Sequence, residues 1–397
     1  MVSFMKKIIL CCTCLFWFSC LWANDTAGEL LPTGEIQFEK QADIVLKNEA
    51  LVLSEKVAVD YLFENTADRD ITTHVFFPLP PTSPLVPYFS QGHNFRFKVW
   101  VDGKEIAYQT HRRITVDGKD VTRYFDRMGL DTYDKVISLD GSDVEGTTKK
   151  LQQIVQPLPE EIKQEMRQLG ILEKSCSDWE DTTDICTHFS EEEQLTLANY
   201  RQEVSFYWTQ TFPAHATVHI YHEYIPSFLE QSVGYPYASN IPFEYKEGND
   251  IFWKAAAYIV TTANNWQQPI GAFHLLVLGT KGAAVSTFDE GKTADTIVAD
   301  GNYLMIEKRD FVPSREILFE IASDPHFPHL TATLPRLYQI QEHAVLQNSP
   351  SKTAEMSLAK GGYVWAYPAL QKGWFMVLDS HGSLRYTLQE NLSDFWK

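Results

Sequence analysis

The sequence is poor in the features that announce familiar chemistries. Cysteine is scarce, six in 397 residues, and Cys11, Cys12, Cys14 and Cys20 all fall within the first 23. After that segment no uncharged apolar run reaches the ~20 residues that a membrane-spanning helix needs. Basic residues are outnumbered, 34 Lys and Arg against 52 Asp and Glu, for a net charge of −18. An acidic surface repels phosphate backbones and anionic headgroups, which argues against nucleic acid as a partner. Catalytic signatures are also missing. There is no Gly-x-Ser-x-Gly elbow, no glycine-rich phosphate loop, no dinucleotide fingerprint and no His-Glu-x-x-His. Ser349-Pro350-Ser351-Lys352 fits the Ser-x-x-Lys pattern of penicillin-interacting enzymes, but the companion Ser-Asp-Asn and Lys-Thr-Gly elements are absent. The acids from Asp178 to Asp184 lack the glycine and terminal glutamate of a calcium loop. No cofactor is implied.

What is present begins with an export signal. Lys6 and Lys7 precede an apolar stretch from Ile8 to Trp22, and Ala23 supplies the small residue before polar Asn24-Asp25-Thr26. The expectation is cleavage after Ala23 and a soluble, periplasmic or secreted mature chain with no transmembrane segment. Lipid attachment at Cys20 is the rival reading; Ser19 suits it and Trp17 does not. Cleavage removes two lysines and no acid, so the mature chain is two units more negative. It also leaves only Cys176 and Cys186. In an oxidising compartment these are expected to form one disulfide, stabilising by about 2–3 kcal/mol.

The remainder alternates apolar and polar residues with the period of half-buried strands. Val57, Val59, Tyr61 and Phe63 share a face, as do Thr73, Val75 and Phe77, then Phe95, Phe97, Val99 and Val101. Asp102-Gly103 and Asp117-Gly118 predict tight hairpin turns. Asp120 reads as a helix N-cap ahead of Val121 and Phe125, with Gly129 as the stop. Residues 157 to 202 change period. Pro159, Ile162, Met166 and Leu169 predict a helix closed by Gly170, and Ser190 with Glu193 predicts a capping box for a second helix running to about Gln202. Strand patterns return at Val204–Trp208 and Val218–Tyr224. They resume near Phe252–Thr262, Phe273–Leu278, Tyr303–Lys308 and Ile317–Ala322. The reading is a mainly β protein with two β-sandwich-like regions and a helical insertion. Its divisions are a signal peptide at 1–23, an N-terminal β domain at 24–235 with the insertion at about 157–202, a second β region at 236–325, and a C-terminal segment at 326–397 carrying a hairpin near Gly373–Tyr386.

Three segments resemble a known family. They are Asn24-Asp25-Thr26-Ala27-Gly28-Glu29-Leu30; Phe206-Tyr207-Trp208-Thr209-Gln210-Thr211-Phe212-Pro213-Ala214 with His222-Glu223-Tyr224-Ile225-Pro226-Ser227; and Tyr258 to Trp266 with Pro269-Ile270. The chain resembles the bacterial exported family catalogued as Domain of Unknown Function 4424, over about residues 24 to 322. The family has no assigned activity, so the resemblance implies no catalytic residue. The cysteine-bearing insertion and the tail after about 323 are the expected departures from that pattern. Phe63-Glu64-Asn65, Phe76-Phe77-Pro78-Leu79-Pro80 and Phe97 to Lys104 are also similar to the first domain of inter-alpha-trypsin inhibitor heavy chains, a β module without enzymatic chemistry.

Two histidine clusters invite a metal reading. His215, His219 and His222 share a segment, but residues three apart on a strand face opposite ways. His222 is therefore expected in the core with Val218 and Ile220. Asp324, His326 and His329 lie in a proline-rich loop that could gather ligands, or could simply link domains. Tyr207, Tyr221 and Trp100 fall opposite the apolar stripe. Such aromatics can stack on sugars or hold a partner; the expectation is that a second layer covers them. The functional reading is a non-catalytic envelope protein, structural or binding an envelope protein or a surface glycan. The alternative is a metal-assisted hydrolase using the Asp324–His329 loop.

Overall fold

The computed structural model describes residues 25–31, 35–87, 95–139, 143–176, 189–231, 252–279, 282–286, 297–298, 303–323, 334–341, 344–347, 356–369, 371–378 and 384–396. In chain order the first strands are β1 (Thr26–Leu30), β2 (Ile36–Phe38), β3 (Ile44–Leu53), β4 (Val57–Asn65), β5 (Ile71–Pro78), β6 (Leu85–Pro87), β7 (Lys98–Val101), β8 (Lys104–Glu105), β9 (Gln109–Val116) and β10 (Lys119–Asp120). A mixed segment follows: α1 (Thr122–Arg127), β11 (Ile137–Leu139), α2 (Val144–Val155), α3 (Glu160–Gln168), β12 (Leu172–Cys176) and β13 (Phe189–Leu195). Then come β14 (Arg201–Phe212), β15 (Thr217–Tyr224), β16 (Leu229–Gln231), β17 (Phe252–Tyr258), β18 (Ile270–Leu278), β19 (Gly282–Ser286), β20 (Ile297–Val298), β21 (Tyr303–Phe311) and β22 (Ile317–Ser323). The C-terminal strands are β23 (Arg336–Ile340), β24 (Ala344–Leu346), β25 (Met356–Leu358), β26 (Tyr363–Pro368), β27 (Trp374–Leu378), β28 (Leu384–Leu388) and β29 (Leu392–Asp394).

The protein is mainly β. A six-stranded sheet, β10-β9-β14-β5-β1-β2, faces a seven-stranded sheet, β21-β18-β3-β4-β15-β7-β8. The period-2 pattern delivers one face of each strand to the space between. Val57, Val59, Tyr61 and Phe63 of β4 meet Val75 and Phe77 of β5 and Val204, Phe206 and Trp208 of β14 in one core. Phe97 stacks on both Phe77 and Phe206, at 5.3 and 4.3 Å between ring centroids. Both Asp-Gly turns form as expected. Asp102 and Gly103 have φ of +49° and +79°, Asp117 and Gly118 +50° and +75°, the double positive φ that a type I′ hairpin requires.

Residues on either side of position 235 share the seven-stranded sheet. β18 lies parallel to β3 and antiparallel to β21. A strand with a parallel neighbour is characteristically covered on both faces, and β18 fits. Leu275 and Val277 enter the sandwich core, while Leu276 and Leu278 point to the opposite side. There a C-terminal sheet, β28-β27-β26-β23-β29, docks through Leu337, Trp365, Leu378 and Phe395 onto Ala50, Val52, Ala58, Leu276 and Leu278. The β27–β28 hairpin is present as two strands of this larger sheet.

The helical insertion has its own core of Ile114, Phe125, Leu151, Ile162, Met166 and Leu195. It begins earlier than the sequence pattern suggested, at α2, where the Asp143 carboxylate accepts the Gly146 N–H at 2.8 Å. The capping-box helix from Ser190 to Gln202 does not form. Residues 189–195 are β13, paired antiparallel with β12 in the register Leu172↔Leu195. Glu193, the intended cap partner, instead receives the Arg167 guanidinium. Burying Leu195 against Leu172 in this second core outweighs a local cap worth about 1 kcal/mol.

Candidate functional site

Three polar constellations stand out, and the fold separates them. The first lies inside the sandwich. Asp25, just ahead of β1, places both carboxylate oxygens 3.1 Å from His222 Nε2 on β15. Phe77 stacks on the His222 ring at 4.9 Å, and Trp208 lies 5.3 Å away. Nearby, the Tyr61 and Tyr258 hydroxyls are 2.8 Å apart, and Tyr258 donates to Glu49 at 3.3 Å. Burial pushes the Asp25 carboxyl above its ordinary value, with His222 pulling the other way. Burial, reinforced by Glu49 and Asp25, also pushes the Tyr61 hydroxyl up. Asp25, His222, Glu49, Tyr61 and Tyr258 are all fully enclosed, so this cluster has no mouth for a substrate.

The second constellation seals the C-terminal sheet onto the seven-stranded one. Asp60 on β4 accepts from His219 Nε2 at 2.6 Å and from the Arg336 guanidinium at 2.9 Å. Trp396 stacks flat on His219 at 4.1 Å. Arg336 lies over the Tyr221 and Trp396 rings at 4.7 and 4.2 Å. Burial disfavours the Arg336 charge, but the Asp60 carboxylate, with Tyr221 and Tyr338 adding to it, holds the guanidinium above its ordinary value.

The histidine triad is thereby resolved. His219 faces the C-terminal sheet, His222 faces the sandwich core with Val218 and Ile220, and His215 pairs with Asp68 at an exposed turn, 2.7 Å away. No three His, Cys, Asp or Glu side chains converge on a metal-sized site among the described residues. Asp324, His326, His329, Ser349, Lys352 and Cys186 lie outside the described residues, as does the leader; Cys176 ends β12.

The third constellation is open. A cleft of 410 Å³ lies where β9 parts from β14, lined by Val101, Ile106, Ala107, Tyr108 and Gln109 on one side and by consecutive residues Tyr207 to Thr211 on the other. None of its lining residues is charged. The Tyr207 hydroxyl donates to Gln109 Oε1 at 2.6 Å, and the Tyr108 hydroxyl to the Phe97 carbonyl at 3.0 Å. Partial burial raises the Tyr108 hydroxyl above its ordinary value, so it remains a neutral donor. Trp208 lines the cleft but turns its ring into the sandwich core beside His222, and its indole N–H is buried with no hydrogen-bond partner among the described residues. Tyr207 stacks on Phe76 at 5.1 Å. Of the three outward aromatics singled out in the sequence, Tyr221 is covered by the C-terminal sheet and Trp100 packs on Tyr221 at 5.2 Å, whereas Tyr207 stays at the cleft.

Among the described residues no helix is long and apolar enough to cross a membrane. No curated protein matches the chain. Among solved structures it is similar to a candidate nutrient binding protein of Legionella pneumophila, at 14% identity over 75% of this chain and 70% of that one, with a TM-score of 0.33. The pattern of the family described as a domain of unknown function, DUF4424, matches residues 23–249 and 243–318. By that match, which spans both sheets of the sandwich, runs through the cysteine-bearing insertion that was expected to depart from it, and stops short of the C-terminal sheet, the chain belongs to the DUF4424 family.

Proposed function

We propose that this is a non-catalytic binding protein of the cell envelope, exported by a leader cleaved after Ala23, and that the cleft between Tyr108 and Tyr207 receives its ligand, an envelope protein or a surface glycan. One observation carries the reading. The protein has a net charge of −18, yet the ten residues lining the cleft carry no charge and combine two tyrosines, a tryptophan, two glutamines and two threonines. Aromatic rings with a few placed amide and hydroxyl groups suit a neutral polar ligand. The reading is tested on the mature protein with an envelope cross-linking pull-down and a neutral glycan array. Wild type should retain a specific ligand, and Tyr207→Ala, which removes both the ring and the bond to Gln109, should weaken it about tenfold or more without unfolding the chain. Two empty screens, or a ligand indifferent to Tyr207→Ala, would reject this site.

A further inference from the structure

Side chains on a strand alternate between the two faces of a sheet, so a pocket that sits on a face touches every second residue. The cleft touches five in a row, Tyr207 to Thr211. It therefore runs along the edge of β14 and meets the backbone itself.

The ladder explains why an edge is open there. β9 pairs with β14 from Arg201↔Thr115 to Tyr207↔Gln109 and then leaves for the other sheet, whereas β5 stays paired through Phe212↔Ile71. Among the described residues, Trp208 to Phe212 are thus paired on one side only. The parity of the hydrogen bonds fixes which groups are presented. Gln202 exchanges bonds with Thr82, and the Val204 carbonyl accepts from Leu79, so even-numbered residues direct their N–H and C=O to the β5 side. Odd-numbered residues direct theirs to the β9 side, and beyond Tyr207 that means Thr209 and Thr211 address the cleft. The Thr211 carbonyl is met at 2.7 Å by the side-chain amide of its own neighbour, Gln210, a local substitute for a strand partner. Exposed edges are ordinarily blunted by lysine, proline or a bulge. The Trp208-Thr209-Gln210-Thr211-Phe212 stretch has none of these, and Pro213 stands only at its end.

We infer that the cleft accepts an extended segment of another polypeptide, which adds to β14 as a short antiparallel or parallel strand. This rests on the cleft being the ligand site and decides between the two ligand classes proposed for it. Five residues of edge span about 17 Å, room for a four- or five-residue strand. The partner's backbone exchanges bonds with Thr209 and Thr211 and displaces the Gln210 amide. Its alternate side chains meet Val101, Ile106 and Tyr108 across the cleft, so apolar, uncharged residues at every second position fit best. Such recognition draws affinity from main-chain bonds and specificity from alternate side-chain pockets.

The test uses a random twelve-residue peptide display library selected on the mature protein, with Thr209→Pro and Thr209→Ala as the decisive pair. Proline removes the edge N–H, and because Thr209 addresses the open side it breaks no bond to β5; alanine keeps the N–H and loses only the hydroxyl. Selected peptides should bind Thr209→Pro about tenfold or more weaker than Thr209→Ala, with the melting temperatures of both variants unchanged. Failure to enrich any peptide, or peptides indifferent to Thr209→Pro, overturns the inference. Neutral oligosaccharides bound in the cleft and lost with Tyr207→Ala would overturn it while leaving the cleft as the ligand site. Concentration-dependent dimers abolished by Thr209→Pro would also overturn it, by naming a second copy of the chain as the occupant.

Discussion

Removing the Asp60 carboxylate should loosen the C-terminal sheet before it touches the sandwich. Asp60 is 4% exposed and is the acceptor for both His219 and Arg336. Asp60→Ala leaves the Arg336 guanidinium pressed between Tyr221 and Trp396 with its counter-charge gone. Breaking a buried ion pair from one side costs about 3–5 kcal/mol. The Arg336 side chain keeps 34% of its exposure, so water relieves part of that and the expected loss is about 2–3 kcal/mol. Arg336→Met keeps the aliphatic stem between the two rings and removes the charge. The double variant therefore leaves no orphan guanidinium and should recover about 1 kcal/mol or more relative to Asp60→Ala. Hydrogen exchange reports where the loss falls: amides of β23 and β29 should lose protection while those of β4 and β15 keep theirs. Urea denaturation supplies the magnitudes for the cycle. A loss below about 0.5 kcal/mol for Asp60→Ala, or equal loosening of the sandwich and the C-terminal sheet, would refute the idea that this carboxylate seals the junction.

Two further outcomes follow from buried groups and from the cysteines. His274 on β18 is 2% exposed beneath Tyr363, and burial holds its imidazole below the ordinary value of 6.5. In the unfolded chain it takes up a proton more readily, so its contribution to stability is complete above the unfolded value and is lost as pH falls below it. His274→Gln should flatten the pH dependence of the urea midpoint in that acid window, and an unchanged slope would exclude His274 as its source. For the cysteines, the mature protein should begin at Asn24 and weigh two hydrogens less before reduction than after it. Cys176→Ser should then cost about 2–3 kcal/mol, and an intact mass showing free thiols would refute the pairing.

Much of the architecture was legible locally. The two faces of β4 and the positive-φ turns at Asp102-Gly103 and Asp117-Gly118 depend on residues that are neighbours in the chain, and all were readable. His222 was placed in the core by parity alone. The segment Ser190–Glu193 misled because its helical signal was equally local while its strand partner, Leu172–Cys176, lies some 20 residues away across the insertion. The helix α2 has a local signal of its own, Asp143 followed by Leu151, Ile154 and Val155 on one stripe.

The cleft was less accessible. Tyr207 reads as an outward aromatic, but nothing in residues 201–212 says where a neighbouring strand stops. That is set by β9, which turns away at Gln109 to reach the opposite sheet. The same holds for Asp60. Its position opposite the apolar stripe predicts a solvated carboxylate, and only docking of Arg336, 276 residues later, makes it a buried pair. The sequence by itself determined the strand faces, the turns, the acidic surface and the family, because each follows from spacing or composition along the chain. The tertiary structure decided which face is covered twice and which edge is left unpaired among the described residues, because sheet neighbours and docked layers are chosen by contacts between residues far apart in sequence.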